Sequence, residues 1–88
     1  MGNLIFTDKA WDDYIFWQTY DKKTVRRINQ LLKDIDRNGY QGIGMPEALK
    51  GDLSGFWSRR IDDCNRIVYR IVDGAVEIVQ LRGHYDDK

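Results

Sequence analysis

The fold of this chain is decided by one stretch late in the sequence, NRIVYRIVDGAVEIVQLR, which covers residues 65–82. Asp73-Gly74 at its centre is the strongest hairpin signal in the chain, because tight two-residue turns need residues that tolerate positive φ. Apolar side chains recur at alternate positions on both sides of this turn. The stretch therefore predicts two antiparallel strands, residues 65–72 and 75–82.

A two-residue turn at this point would pair Val72 with Ala75 and Arg70 with Glu77. Because side chains alternate between the faces of a strand, each face can be listed from the sequence. The face predicted to be buried under helices carries Ile67, Tyr69, Ile71, Val76 and Ile78. The opposite face, called the open face below, is predicted to carry Arg66, Val68, Arg70, Val72, Glu77, Val79 and Leu81.

The open face mixes valines with arginines, which is typical neither of a solvated face nor of a core. We interpret it as a shallow groove, with an apolar floor on which cationic groups stand. The alternative is that Arg70 and Glu77 form a cross-strand ion pair and that the other polar residues are simply solvated.

A further strand is predicted for residues 56–62, just before this hairpin. If Ile61 points to the core, alternation sends Arg60 to the open face, together with Ser58 and Asp62. Arg60 and Arg66 are therefore predicted to lie in one groove.

The first half of the chain predicts a short strand at residues 3–7 followed by two helices. Thr7 or Asp8 is suited to cap the first helix, whose apolar face is predicted to contain Trp11, Tyr14, Ile15 and Gln18, with Trp17 on its flank. Asp21 is the predicted cap of the second helix, whose core face is predicted to contain Val25, Ile28, Leu31, Leu32 and Ile35. Asn38-Gly39 is a suitable end for that helix.

Residues 39–55 hold five of the eight glycines and the only proline, and predict a loop of about 17 residues, a length that is uncommon and often functional. The predicted order is β-α-α-β-β-β. This order indicates an α+β fold, a single domain over residues 1–88 in which two N-terminal helices pack on a twisted, mostly antiparallel sheet.

The composition bounds the function. Fourteen basic residues balance fourteen acidic ones, so the chain lacks the positive excess typical of proteins that bind free nucleic acid. One cysteine and one histidine make a structural zinc site very unfavourable. The sequence contains no apolar run near 18 residues and no recognisable signal peptide, so we expect a cytoplasmic protein with no membrane partner.

The groups available for acid–base chemistry are few. His84 is the only side chain whose ordinary pKa lies near neutrality. Glu47 and Lys50 lie in the long loop. The ordinary interpretation of all three residues is that they are exposed to solvent and have no catalytic role. One carboxylate, one imidazole and two or three cations nevertheless suffice for a metal-free ribonuclease, without a cofactor. Strict alternation places His84 on the helix side, so Gly83 would have to release the chain from the strand.

Several motifs, in order along almost the whole chain, resemble the YoeB-type toxins of the RelE-like mRNA interferase family. They are Trp11-Asp12-Asp13-Tyr14 with Trp17, Met45-Pro46-Glu47-Ala48-Leu49-Lys50, Leu53-Ser54-Gly55-Phe56-Trp57-Ser58-Arg59-Arg60-Ile61, Arg66-Ile67-Val68-Tyr69 and His84-Tyr85. The resemblance implies a RelE-like, microbial-ribonuclease-like fold.

The resemblance also implies a function: a toxin of a type II toxin–antitoxin system that cleaves mRNA in the ribosomal A site by attack of the 2′-OH. It implies Glu47 as general base, His84 as general acid and Arg66 as the group that stabilises the transition state. It further implies that RNA is held by Lys50, Arg60 and Tyr85.

The partners implied by the resemblance are a YefM-type antitoxin, the 70S ribosome with its mRNA, and a second copy of the chain. Trp11, Trp17 and Tyr20 are candidate exposed aromatics for a homodimer interface. Two alternatives remain open: a peptide-binding module that captures an antitoxin-like partner with little catalysis, and a ribonuclease that needs no ribosome. Zero net charge counts against the second alternative.

Overall fold

The computed structural model describes residues 2–84, in which two helices pack on one face of a five-stranded sheet. The elements are β1 (Leu4–Phe6), α1 (Asp8–Tyr20), α2 (Lys22–Asn38), β2 (Glu47–Ala48), β3 (Trp57–Arg60), β4 (Arg66–Val72) and β5 (Ala75–Gln80). The sheet order is β1-β5-β4-β3-β2, with β1 parallel to β5 and the other neighbours antiparallel. The predicted fold and element order are confirmed, and the long loop contributes the additional two-residue strand β2.

The predicted hairpin is present with the predicted register, in which Arg70 lies opposite Glu77 and Val72 opposite Ala75. Asp73 and Gly74 turn the chain with φ values of 51° and 78°. The helix-side face is also as predicted, since Ile67, Tyr69, Val76 and Ile78 are buried in the core and Ile71 packs against it.

A β-bulge in β5 changes the alternation beyond this point. Tyr69 pairs with Ile78, but Val68 pairs with Gln80, so Val79 is an extra residue in its strand. The bulge moves Leu81 into the core under the helices, where it is fully buried. The prediction that Leu81 lies on the open face is therefore wrong, because alternation assumes an uninterrupted ladder.

Helix α2 follows its sequence signals closely. The Asp21 side chain caps its first turn by accepting from the Lys23 backbone N–H, and the helix ends at Asn38, followed by Gly39 with a φ of 67°. Its buried residues are Thr24, Ile28, Leu31, Leu32 and Ile35, with Val25 partly buried.

Helix α1 is capped by Thr7, but its buried face differs from the predicted one. Ala10, Asp13 and Trp17 are the buried residues, whereas Trp11 and Ile15 are 50% and 48% exposed. The predicted face was wrong because it was chosen from apolar residues alone, whereas a carboxylate, that of Asp13, occupies a core position. The Asp13 side chain accepts from the Leu81 backbone N–H at 3.0 Å, and the Trp17 indole N–H donates to the Leu81 carbonyl at 2.8 Å. Trp17 is thus not an exposed aromatic, unlike Trp11 and Tyr20.

A buried cation lies beneath β3, on the helix side of the sheet. Arg59 on β3 is fully buried, and its guanidinium forms an ion pair with Asp34 of α2. The same group donates to the backbone carbonyls of Gly39, Gln41 and Ile43 at 2.7–3.0 Å, and its Nε donates to the Tyr69 hydroxyl at 3.1 Å. One side chain therefore joins helix, loop and sheet.

This arrangement shifts two pKa values. Hydrogen bonding from the Arg59 guanidinium lowers the pKa of the Asp34 carboxyl below its usual range, helped by the Ile43 backbone N–H and the Asn38 side chain. Burial raises the pKa of the Tyr69 hydroxyl, although Arg59 opposes this. At neutral pH Asp34 is therefore ionised and balances the charge of the guanidinium, while Tyr69 stays a neutral hydroxyl.

Replacing Asp34 by Asn is expected to destabilise the protein by about 3 kcal/mol, the lower end of the cost of breaking a buried ion pair, because Asp34 is partly exposed. The measurement is the free energy of unfolding in urea. The lowered pKa of Asp34 means that its contribution is present at neutral pH and is lost as the pH falls through the folded-state pKa. The variant should therefore lose less stability than the parent on acidification.

The exposed Asp12→Asn variant is the control, since it also removes one carboxylate. Equal stabilities for the Asp34 and Asp12 variants would contradict the role assigned to this ion pair.

Candidate functional site

The open face of the sheet brings together residues from the long loop and from the hairpin. Glu47 on β2 lies opposite Ser58 on β3, which lies opposite Val68 on β4. In the neighbouring row Arg60 lies opposite Arg66. Since cross-strand partners share a face, Glu47, Arg60 and Arg66 are on the same side, and β2 and β4 are roughly 10 Å apart, twice the usual strand spacing.

The floor of this face is buried although the helices lie on the other side of the sheet. Ser58, Val68 and Leu49 are at most 5% exposed, yet the two apolar ones lie outside the core cluster beneath the helices. The Arg66 guanidinium leans across β4 and β3 so that Nη1 lies 3.5 Å from the Ser58 Oγ. The open face thus has a buried floor beside its arginines, and the groove stays an interpretation of the alternation of Val and Arg. The word groove refers below to the part of this face that carries Glu47, Ser58, Arg60, Arg66 and Val68.

The position of Glu47 follows from the preceding loop. The Arg59 guanidinium donates hydrogen bonds to three carbonyls of this loop, the last of them that of Ile43. The Arg60 backbone N–H donates to the next carbonyl, that of Gly44, at 2.7 Å. Gly44 has a φ of 81°, and a Cβ there would lie 2.8 Å from the Leu31 side chain, so the chain passes too close to α2 for any other residue. Met45 then turns the backbone with a φ of 55° into Pro46 and Glu47.

The other two cations predicted to bind RNA, Arg60 and Lys50, have different surroundings. Arg60 forms an ion pair with Asp63 at 2.6 Å, and its Nη1 lies 3.8 Å from the Met45 sulfur. Lys50 is exposed directly after β2, where the three-residue 3-10 helix Gly51–Leu53 begins. The cross-strand ion pair that we considered as an alternative is also present, with Arg70 Nε 2.6 Å from the Glu77 carboxylate.

The segment that carries His84 leaves the sheet after Gln80, where β5 ends. Gly83 has a φ of 87°, a conformation that favours glycine, and its carbonyl accepts from the Arg66 backbone N–H at 3.0 Å. His84 is exposed beyond this contact. The regular strand thus ends before His84, and the bulge at Val79 has already changed the alternation that placed His84 on the helix side. The catalytic role of His84 stays a prediction. Tyr85 lies outside the described residues.

Sequence reasoning missed the residues that hold these groups in place. The buried position of Arg59 had a usable signal, because a residue two before Ile61 must share its core face. Asp13 also had one, since it lies on the same helical stripe as Ala10 and Trp17. The bulge at Val79 had none, because nothing in a run of apolar residues marks where a ladder slips.

Within residues 2–84, no group of three or more His, Cys, Asp or Glu side chains is arranged to hold a metal ion. The same part of the chain contains no helix that is long and apolar enough to span a membrane.

Comparison with known proteins gives a consistent picture. Residues 6–85 match the family model described as the YoeB-like toxin of bacterial type II toxin–antitoxin systems. A relative named Toxin YoeB from Streptomyces coelicolor is 52% identical over 82 residues, which covers 93% of this chain and 98% of the relative.

Solved structures are similar as well. The heterotetrameric YoeB–YefM complex from Staphylococcus aureus contains a chain with a TM-score of 0.89 and 46% identity, covering 97% of this chain and 99% of that one. The YoeB dimer from the same organism gives a TM-score of 0.88 and 48% identity, with 94% and 97% covered.

Replacing Asp13 by Ala is expected to destabilise the protein by about 1–3 kcal/mol, because it leaves the buried Leu81 N–H without its acceptor. Thermal and urea unfolding provide the measurement. The partner of Asp13, Lys9, is exposed, so Lys9→Ala should cost only about 0.3–0.5 kcal/mol. If Lys9→Ala and Asp13→Ala lower the free energy of unfolding equally, the stabilisation comes from the surface ion pair and not from the hydrogen bond to Leu81.

Proposed function

This chain belongs to the YoeB-like toxins of bacterial type II toxin–antitoxin systems, and on this basis we propose that it is a ribosome-dependent endoribonuclease. In this proposal it cleaves mRNA in the ribosomal A site and thereby inhibits translation. The observation that carries the proposal is the presence of Glu47 and Arg66 on one face of the sheet, with the His84 segment bonded to the Arg66 backbone.

The proposed reaction uses three side chains. Glu47 accepts the proton of the RNA 2′-OH, and the 2′-oxygen attacks the adjacent phosphorus. The bond to the 5′-oxygen of the next nucleotide breaks, and His84 gives this oxygen its proton. The products are a 2′,3′-cyclic phosphate and a free 5′-OH.

The positive charge of Arg66 is suited to stabilise the negatively charged transition state of this reaction. The pentacoordinate phosphorus carries additional negative charge, and a fixed guanidinium stabilises this charge more than it stabilises the ground state. The Arg66 Nη1 lies 3.5 Å from the Oγ of Ser58, the residue opposite Glu47, which supports a common role for Arg66 and Glu47 at one phosphate. Lys50, Arg60 and Tyr85 would help to hold or orient the RNA.

The neutral charge of the chain supports the requirement for the ribosome. Binding to free RNA depends on Lys and Arg contacts to phosphates and weakens steeply with salt. With equal numbers of acidic and basic residues, this chain has no broad excess of such contacts to offer. The ribosome would supply the position of the message and the remaining electrostatic attraction.

We propose the partners by the same analogy. The solved relatives include a YoeB–YefM complex and a YoeB dimer, and they support a YefM-type antitoxin and a second copy as partners of this chain. The competing function is a peptide-binding module that captures such an antitoxin with little or no catalysis.

Replacing Glu47 or His84 by Ala is expected to lower the rate of mRNA cleavage by a factor of about 10²–10⁴, the usual contribution of one proton-transfer group. The measurement is primer extension on a message translated by purified ribosomes, with cleavage sites mapped at their 5′ ends. Asp52→Ala in the same loop is the control, because Asp52 is exposed and lies in the 3-10 helix that follows β2. Variants that cut as fast as the parent would favour the binding-module alternative.

The chain is also expected to cleave naked RNA negligibly at enzyme concentrations that suffice on the ribosome. The same message is incubated with and without ribosomes at physiological salt, and its fragments are compared. Rapid, specific cleavage without ribosomes would contradict the ribosome requirement.

A further inference from the structure

The His84 segment is held on the sheet by two amide side chains to which the proposed reaction gives no role. We propose that Gln80, assisted by Asn65, is a positioning residue that fixes the backbone at Gly83 and His84 beside Arg66. This inference rests on the proposed function, because it concerns the placement of the general acid.

Gln80 is the last residue of β5 and lies opposite Val68, in the same row of the open face as Ser58 and Glu47. Its side-chain NH₂ donates to the carbonyl of Gly83 and to the carbonyl of His84, both at 3.0 Å. A single amide therefore closes the turn that the chain makes after the bulge, and it does so on the face that carries Glu47.

Asn65 forms a further side-chain hydrogen bond to the same turn. Its side-chain NH₂ donates to both oxygens of the Asp62 carboxylate, at 3.0 and 3.1 Å. Only the NH₂ end of an amide can donate to a carboxylate, so the carbonyl end must face away from Asp62. That oxygen accepts from the Gly83 backbone N–H at 2.8 Å.

These contacts leave the backbone at Gly83 fully engaged. Asn65 binds its N–H, while Gln80 and the Arg66 backbone N–H both donate to its carbonyl. His84 itself is exposed, and Gln80 is the side chain that bonds its carbonyl. The placement of His84 relative to Arg66 therefore depends on polar contacts at its own backbone rather than on burial.

The first experiment measures the cleavage rate and the KM for programmed ribosomes with Gln80→Ala and Gln80→Glu. Gln80→Glu keeps the size of the side chain but replaces the donor by an acceptor, which repels both carbonyls. Both variants are expected to lower kcat by about 10–100-fold with KM changed less than twofold, since misplacing a reacting group slows chemistry and not binding. Gln18→Ala, an exposed amide on α1, is the control and should match the parent.

The second experiment combines Gln80→Ala with His84→Ala. If Gln80 acts through His84, Gln80→Ala should have no further effect on cleavage once His84 is absent. Independent, multiplicative losses would overturn the proposal. If His84→Ala alone cuts as fast as the parent, the proposed mechanism fails; if only Gln80→Ala is without effect, the mechanism stands and the positioning role fails.

The third measurement needs no ribosome. His84 is the only histidine, so its imidazole resonances can be assigned in the NMR spectrum without ambiguity. In the parent we expect ring chemical shifts that differ from those of a free histidine peptide, and in Gln80→Ala shifts that move to the peptide values while the melting temperature is unchanged. Peptide-like shifts already in the parent, or shifts unaffected by Gln80→Ala, would overturn the proposal.

Discussion

The structure depends most on the burial of one guanidinium group. A fully buried arginine is tolerated only if its charge and its donors find partners, since an unpaired buried charge costs several kcal/mol. Arg59 meets this requirement with Asp34, with Tyr69 and with three backbone carbonyls of the loop. The loop must therefore adopt the path that presents those carbonyls, and this path delivers Glu47 to the edge of the sheet. Arg59, which lies outside the groove, thus determines the position of Glu47, the proposed general base.

The other end of the groove is fixed by a different mechanism. The bulge at Val79 turns Leu81 into the core, where Asp13 and Trp17 bond its backbone N–H and carbonyl. The chain can then leave the sheet at a defined point and meet the polar contacts around Gly83. The two ends of the proposed site are therefore anchored independently, one by a cation under the sheet and one by a helix. Arg66, in the central part of the sheet, lies between them.

Several arginines of this chain form ion pairs within the protein. Arg59, Arg60 and Arg70 each form an ion pair with a carboxylate, and of these three guanidinium groups only that of Arg59 is fully buried. The exposed pairs contribute little to stability, but they reduce the positive charge of the open face. This use of charge agrees with a protein whose total charge is zero and which, in the proposed function, relies on the ribosome to hold its substrate.

The sequence by itself determined the two helices, the hairpin register and the face on which Arg60 and Arg66 lie, because periodicity, caps and a two-residue turn are local signals. Tertiary structure alone decided the buried face of α1, the bulge at Val79 and the path of the loop that carries Glu47. Each of these depends on a polar group that finds its partner far away in the chain, as Asp13 does with Leu81. Periodicity can mark Asp13 and Arg59 as core positions, but it does not show which partners they have. A buried carboxylate or guanidinium is stable only once the distant backbone that satisfies it has folded against it.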